Sequence, residues 1–285
     1  MNPGAGILYV VATPIGNLED LSSRAEKILA GVDLVLCEDT RRSLKLLNHL
    51  GLRKRLESFN EHNQAAKIPR VMARLASGQK IALATDAGTP ALSDPGASLV
   101  RACHQALVKV IPIPGPSALT AALSASGMKA DRFLFLGFLP SKSSERKKIL
   151  QAGKSFPETL VVFEAPHRLA QTAQDLREIL GDRQLCFCRE LTKVFEQVNL
   201  TSLSKLSEQM KGSTAKGEIT LVIAGAEIAD KSRPADSELE ELLRAMLKRG
   251  MTLKEIARGL SREPGLSKNL VYQKALALKN RCGNS

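Results

Sequence analysis

The sequence predicts an α/β protein made of two α/β domains, followed by a small helical extension. Three observations carry that prediction. Short apolar, β-branched runs alternate with helix-length stretches through the first half, the pattern of a mostly parallel sheet covered by helices on both faces. A polar stretch over residues 139–156 interrupts the pattern, and the part after it is richer in strands, as a mixed or antiparallel sheet would be. Beyond residue 235 the apolar spacing is helical to the end.

Taken in order, residues 7–12 (ILYVVA) form the first strand and break into Thr13-Pro14-Ile15-Gly16-Asn17, after which Asp20 is a candidate N-cap for a helix through Gly31. Residues 33–37 (DLVLC) form the next strand and end in Glu38-Asp39-Thr40-Arg41-Arg42. A helical stretch leads to a strand over 55–59, which ends in Asn60-Glu61-His62-Asn63, and residues 68–76 read as a helix closed near Gly78. The stretch around which the half is organised comes next, Lys80 to Gly96 (KIALATDAGTPALSDPG). Its apolar run is long enough for a buried strand, and the loop after it mixes glycines, which reach positive φ, with prolines, which stiffen it. A helix over about 97–107 and a strand over 109–113 follow; that strand breaks into Pro114-Gly115-Pro116-Ser117-Ala118, with Ser117 the candidate cap of a small-residue helix ending near Gly127. Residues 132–138 (RFLFLGF) are the last strand of the first domain, 1–138. In a parallel sheet the strand ends share one edge, so TPIGN, EDTR, DAGTP and PGPSA converge on one crevice, where open α/β sheets bind ligands.

Residues 139–156, with Lys142, Arg146, Lys147 and Lys148, read as a solvated connector. The second α/β domain, 157–228, opens with the strand TLVVF, ending in Glu164-Ala165-Pro166-His167-Arg168. An amphipathic helix over 169–180, strands near 184–188, 194–200 and 218–224, and the motifs Arg189-Glu190-Leu191-Thr192-Lys193 and Lys216-Gly217-Glu218 complete it. After a second polar linker, the extension 235–285 reads as three helices: Ser237 with Glu240 begins the first, Thr252 caps the second, Ser267 caps the third, and turns fall at Gly250 and Gly265. From residue 252 onward seven Lys/Arg face two Glu, which favours a helix-turn-helix-like nucleic-acid contact over a bundle that only packs or dimerises.

The whole chain carries a formal charge of +12 over 285 residues, so a polyanion such as nucleic acid is the first candidate partner. Aromatic residues make up 4% and Trp is absent, which argues against base stacking on aromatic platforms as the main binding mode. The five cysteines form no CxxC pair and the four histidines no cluster, so reduced core thiols and no metal site are expected. No stretch has the build of a secretory leader or the length of a membrane span, which fits a cytoplasmic protein with no membrane partner. There is no G-x-G-x-x-G after the first strand, no P-loop and no nucleophile elbow, so the residues alone give a crevice and not a reaction.

As an ordered set, TPIGN, EDTR, TDAGTP with SDPG, PGPSA, EAPHR, RELTK and KGE, spread over residues 7–226, resembles the tetrapyrrole-methylase superfamily, whose class III methyltransferase fold holds its cofactor in a cleft between two α/β domains. Within it the chain is similar to the branch that methylates a cytidine ribose 2′-hydroxyl of 16S ribosomal RNA at the decoding centre; the helical tail also resembles that branch. Thr85 stands where Ser is usual. The resemblance implies S-adenosylmethionine as cofactor, the small ribosomal subunit as partner, and a homodimer. By the same resemblance Thr13, Pro14, Asp86, Ala87, Gly88, Thr89, Leu92, Ser93, Ser117 and Ala118 would line the cofactor pocket. Arg41, Arg42, His62, His167, Arg168, Arg189, Lys193 and Lys216 at the same rim suit an RNA backbone, as do Lys268 and Lys274 in the tail; for each singly, a structural salt bridge is as good a reading. A group that assists the 2′-hydroxyl is sought in Glu190 and Lys193, or in Glu61 and His62. A small-molecule tetrapyrrole methyltransferase and a non-catalytic nucleic-acid-binding protein remain the alternatives.

Overall fold

The computed structural model describes residues 6–212, 215–226, 236–261 and 266–282. It divides into two compact units, 1–226 and 227–285. In the first unit, β1 (Ile7–Val11), β2 (Leu34–Cys37), β3 (Leu56–Ser58), β4 (Lys80–Ala84) and β5 (Lys109–Ile113) form one sheet in the order β3-β2-β4-β1-β5, parallel throughout. Alternation along the strands feeds two cores. Leu8, Leu34, Leu36, Ile81 and Leu83 meet Val71 and Leu75 of α3 (Gln64–Ala76) and Leu99 and Cys103 of α4 (Ala97–Gln105) on one face. Tyr9, Val11, Val35 and Ala82 meet Ala25 and Leu29 of α1 (Ser23–Gly31) and Leu47 of α2 (Thr40–His49) on the other. This two-sided burial is why the strands read as continuous apolar runs.

The second sheet holds β6 (Phe133–Phe138), β7 (Thr159–Glu164), β8 (Gln184–Arg189), β9 (Gln197–Ser202) and β10 (Ile219–Ile223) in the order β6-β7-β10-β8-β9. β6 and β7 are parallel and the other pairs antiparallel, so the sheet is mixed, as its strand-rich sequence predicts. One face packs on α6 (Ser143–Ala152), α7 (Leu169–Leu180) and α8 (Leu203–Gln209) around Leu150, Leu176, Leu206 and Leu221. The other is covered by α5 (Ala118–Ser126), whose Leu119, Ala122 and Leu123 meet Val161, Cys186, Cys188 and Val222. The chain thus leaves β5 of the first sheet and lays its next helix on the second.

Four local expectations change. β6 pairs with β7 in the second sheet, because sheet membership depends on register with a strand that comes later in the chain. The stretch assigned to a connector contains α6, and its Arg146 is fully buried. Arg146 Nε donates to Asp175 Oδ2 of α7 at 2.8 Å, so one of the charges that looked solvated is an interior ion pair. Asp20 lies in a 3₁₀ turn, and the cap of α1 is Ser22, whose hydroxyl accepts from Ala25 N. α3 starts four residues before the expected Ile68 and carries Pro69 within it.

In the second unit, α9 (Asp236–Lys248), α10 (Leu253–Leu260) and α11 (Lys268–Cys282) enclose Leu239, Leu243, Ile256, Leu260, Val271 and Leu278. Thr252 and Glu255 make a complete capping box, and Ser267 Oγ accepts from Leu270 N. Ser237 falls inside α9, and the expected turn at Gly265 lies outside the described residues.

Candidate active site

The loop after β4 is held in a backbone shape that few sequences tolerate. Gly88 (φ +89°), Ala91 (+67°), Ser93 (+61°) and Gly96 (+133°) all occupy positive φ, two of them with side chains. Non-glycine residues there cost about 1–3 kcal/mol each and persist only where surroundings impose them. Here the surroundings are the neighbouring strand ends. Thr13 Oγ1 donates to the Thr85 carbonyl at 3.0 Å, and Thr13 and Gly88 exchange two backbone bonds of 2.8 and 3.0 Å. Thr89 Oγ1 donates to the Pro116 carbonyl, Thr85 Oγ1 to Asp94 Oδ2 at 2.7 Å, and Asp39 N to Asp86 Oδ1 at 3.0 Å. The motifs at the ends of β1, β2, β4 and β5 are therefore tied into one rim, as the parallel-sheet argument requires.

That rim and the second sheet enclose a cavity of about 600 Å³. Asp86, Ala87, Gly88, Thr89, Leu92, Ser93, Ser117 and Ala118 all line it. Thr13 and Pro14 do not; both are buried, and Thr13 is bonded to the loop. The sequence reading missed Ile15, Glu38, Asp94, Phe138, Phe163 and the segment Gly217–Thr220, which also line the cavity. Most of these flank a strand end, the one signal that could have found them.

The cavity has an acidic side. Burial, then the nearby Asp86 and Asp94, pushes the Glu38 carboxyl up from its ordinary value. Burial likewise raises Asp94, partly offset by the Thr85 hydroxyl. Ser117 sits at the N-cap of α5 with extended backbone and no side-chain capping bond. Leu92, Leu119 and Phe163 give the cavity an apolar wall.

Glu190 and Lys193 do not line the cavity, and they spend their charges on each other. Glu190 Oε1 accepts from Lys193 Nζ at 2.7 Å and from Glu218 N at 2.9 Å. The hydrogen bond from Lys193, with the one from Glu218 N, lowers the Glu190 pKa. Burial works to lower that of Lys193, and its bonds and attraction to Glu190 and Glu218 outweigh it, so its pKa is raised. The motif is itself strained, with Glu190 at φ +53° and Thr192 at +66°, and it leans on TPIGN: Thr192 Oγ1 accepts from Asn17 N at 3.1 Å. Glu61 and His62 stay exposed in the turn after β3.

The cations differ in their freedom. Arg42 lines the cavity with Nε 3.5 Å from Asp86, and Arg41 is exposed and paired with Asp39, which it holds down to a pKa of about 2. His167 and Lys216 are exposed, and Arg189 is half-buried with Nη1 directed to the Lys216 carbonyl. Arg168 is turned inward, its Nε 3.3 Å from Glu164 and its Nη2 donating to the Leu139 and Pro140 carbonyls. In the second unit Lys268 is exposed and Lys274 half-buried. Among the described residues no group of three or more His, Cys, Asp or Glu could hold a metal ion.

The sequence pattern of the tetrapyrrole (corrin/porphyrin) methylases matches residues 7–207. A protein named ribosomal RNA small subunit methyltransferase I from Synechocystis sp. is 44% identical over 275 residues, covering 96% of this chain and 99% of that one. The proteins of the same name from Pseudomonas aeruginosa and Escherichia coli O157:H7 are 42% and 41% identical, over 95% of this chain and 97% and 95% of theirs. Among solved structures, a diphthine synthase superposes with a TM-score of 0.62 at 18% identity, over 77% of this chain and 90% of that one. The uroporphyrin-III C-methyl transferase of Thermus thermophilus, complexed with S-adenyl homocysteine, superposes at 0.56 and 18% identity, over 76% of this chain and 97% of that one. With its motifs gathered on one rim and its sequence aligned from β1 into α8, this chain belongs to the tetrapyrrole (corrin/porphyrin) methylase family.

Proposed function

We propose that the protein is an S-adenosylmethionine-dependent methyltransferase of small-subunit (16S) ribosomal RNA, acting on the ribose 2′-hydroxyl of a cytidine at the decoding centre. The observation that carries the reading is the 42–44% identity, over nearly the full length, to relatives named for that RNA, joined to a strained, cross-tied loop on one wall of a cavity. The residues present fit the cofactor. The loop over 85–96 and the uncapped start of α5 at Ser117 suit a carboxylate, Asp86, Asp94 and Glu38 suit its cationic centres, and Leu92, Leu119 and Phe163 suit an adenosyl group. Bound there, S-adenosylmethionine supplies an electrophilic methyl group. The chain's part is to hold the acceptor in line and keep water out, which can lower a barrier by several kcal/mol.

Glu190 and Lys193, paired and off the cavity, act in this reading as positioning residues that seat the 189–193 motif against TPIGN. Arg41, Arg42, His62, His167, Arg189, Lys216, Lys268 and Lys274 are the cations assigned to the RNA backbone. Arg168, whose guanidinium is committed to internal carbonyls, supports the backbone at Leu139 and Pro140.

The active form in this reading is a cytoplasmic homodimer. Its support is the edge strand β9 and the turn before it, where Val194 is 93%, Phe195 76% and Leu200 65% exposed. An apolar edge of this kind is a surface that proteins normally cover. No described helix is long and apolar enough to cross a membrane.

The test is methyl transfer from labelled S-adenosylmethionine to small subunits taken from a strain lacking this protein, with the product located by nuclease digestion and mass analysis. A 2′-O-methylated cytidine is expected. Cofactor binding with transfer only to a tetrapyrrole, and none to RNA, would overturn the assignment.

A further inference from the structure

One cavity-lining residue is an aromatic whose ring stands largely in the open. Phe138, the last residue of β6, lines the cavity with 56% of its surface exposed. Its ring has an aromatic neighbour, and the backbone on both sides of it is constrained. The ring meets Phe163 edge-on at 5.7 Å, and Phe163 in turn meets Phe135 at 4.9 Å. The backbone after it is clamped by two arginines. Arg168 donates to the Leu139 and Pro140 carbonyls, and Arg146 Nη1 donates to the Pro140 and Ser141 carbonyls at 2.9 and 3.2 Å. Each arginine is anchored by a buried carboxylate, Glu164 and Asp175 respectively. The backbone before it presses on the strained loop: Gly137 has φ +60°, and a Cβ there would lie 2.8 Å from Ser93 Oγ. Four residues further on, the side chain of Lys142 is 76% exposed and only loosely paired, its Nζ 3.4 Å from the exposed Glu145, and Lys148 on α6 is exposed as well.

A half-exposed aromatic ring is ordinarily free to settle against its neighbours. Here hydrogen bonds and buried charge fix the main chain that follows the ring, Phe163 supports one edge of it, and the rest stays open on the cavity, with cations further along the chain. Such a combination grips an unstacked nucleotide: the ring takes a base of any identity, and the ammonium groups take flanking phosphates. We infer that Phe138 is the platform on which the base of the acceptor nucleotide stacks once it is drawn out of its RNA, so that the attached ribose is presented to the cavity. The inference rests on the RNA-methylation reading above and assigns that site its acceptor-binding residue. The adenine of the cofactor is the other possible source of a base; the exposure of the ring favours the RNA.

The experiment uses the full chain and the same small subunits, with Phe138→Ala, Phe138→Leu and Phe138→Trp. For Phe138→Ala, kcat/KM toward the subunit is expected to fall about 5- to 150-fold, the range that loss of one base stack gives. S-adenosylmethionine affinity measured by calorimetry should stay within about twofold, and Trp should restore transfer where Leu does not. Unchanged kcat/KM in Phe138→Ala overturns the inference. So does an equal loss of cofactor affinity, which would assign the ring to adenine, or full rescue by Leu, which would reduce it to packing. A wild-type protein that binds the cofactor and methylates no RNA overturns the reading beneath, and this inference with it.

Discussion

Gly217 offers a quantitative test of how the second sheet shapes the cavity. It has φ +89°, and a Cβ built there would lie 2.4 Å from both Cδ and Oε1 of Glu190. Gly217→Ala therefore carries two penalties. The left-handed backbone costs a side chain about 1–2 kcal/mol. The methyl group also evicts the Glu190 carboxylate, which loses its bonds to Lys193 Nζ and Glu218 N. At about 1 kcal/mol for each such bond, less some screening because the pair is partly exposed, eviction adds about 1–2 kcal/mol. The single variant should lose about 2–4 kcal/mol, and Glu190→Ala alone about 1–2. In the double variant the clash is gone and the bonds are already lost, so only the backbone strain is added to the loss of Glu190. Measured by calorimetry, where 1 kcal/mol moves Tm by about 2–4 °C in a domain of this size, Gly217→Ala should lower Tm by about 4–16 °C. The double variant should melt close to the single glycine variant. If the two shifts simply add, the contact with Glu190 carries no energy and the account of this wall is wrong.

Three further predictions concern other parts of the molecule. Glu38 has a raised pKa in the folded state, so its ionisation opposes folding as pH climbs from the unfolded pKa through the folded one. Glu38→Gln should then raise Tm at pH 7 and leave it nearly unchanged near pH 4, and an equal shift at both pH values would contradict the burial argument. Arg146→Ala leaves the buried Asp175 with only the Ser143 hydroxyl and Lys147, 3.6 Å away, and should cost about 3 kcal/mol, the low end for a broken buried pair; a Tm within 2 °C of wild type, on the scale of about 2–4 °C per kcal/mol, would show the pair is dispensable. Phe195→Glu places a charge on the apolar surface beside β9 and should convert a dimer to the 30.8 kDa monomer in light scattering, whereas an unchanged dimer mass would move the interface elsewhere.

Much of the first sheet was legible because a strand buried on both faces has no polar positions to disguise it. The runs before Thr13, Glu38, Thr85 and Pro114 end within a residue or two of β1, β2, β4 and β5, and each leads into a motif on the rim. Local sequence carried less wherever the outcome depends on distant partners. Arg146 stands beside two lysines in the sequence, and of the three it alone is fully buried, held by Asp175 29 residues away and by the Pro140 and Ser141 carbonyls. Phe138 was hidden by a count of aromatics: few are present, yet one is held at the mouth of the cavity, and exposure is a tertiary property that composition does not carry. Glu38 sits in a motif read for its arginines, and its place against Asp86 and Asp94 follows from β2 and β4 being neighbours in the sheet.

The strand order of the second sheet bears on how the chain is made. β10 is the last of the described strands to be synthesised, yet it lies at the centre, between β7 and β8. Until it emerges from the ribosome, β6–β7 and β8–β9 are separate pairs, each with an open edge able to recruit the wrong strand. Insertion of Ile219–Ile223 joins them through two antiparallel ladders at once. The residues that begin this insertion, Ile219 and Thr220, also line the cavity with Gly217 and Glu218 just before them. A nascent chain that stops short of this point therefore lacks both the middle of its second sheet and one wall of its cavity, and the step that completes the fold also completes the site.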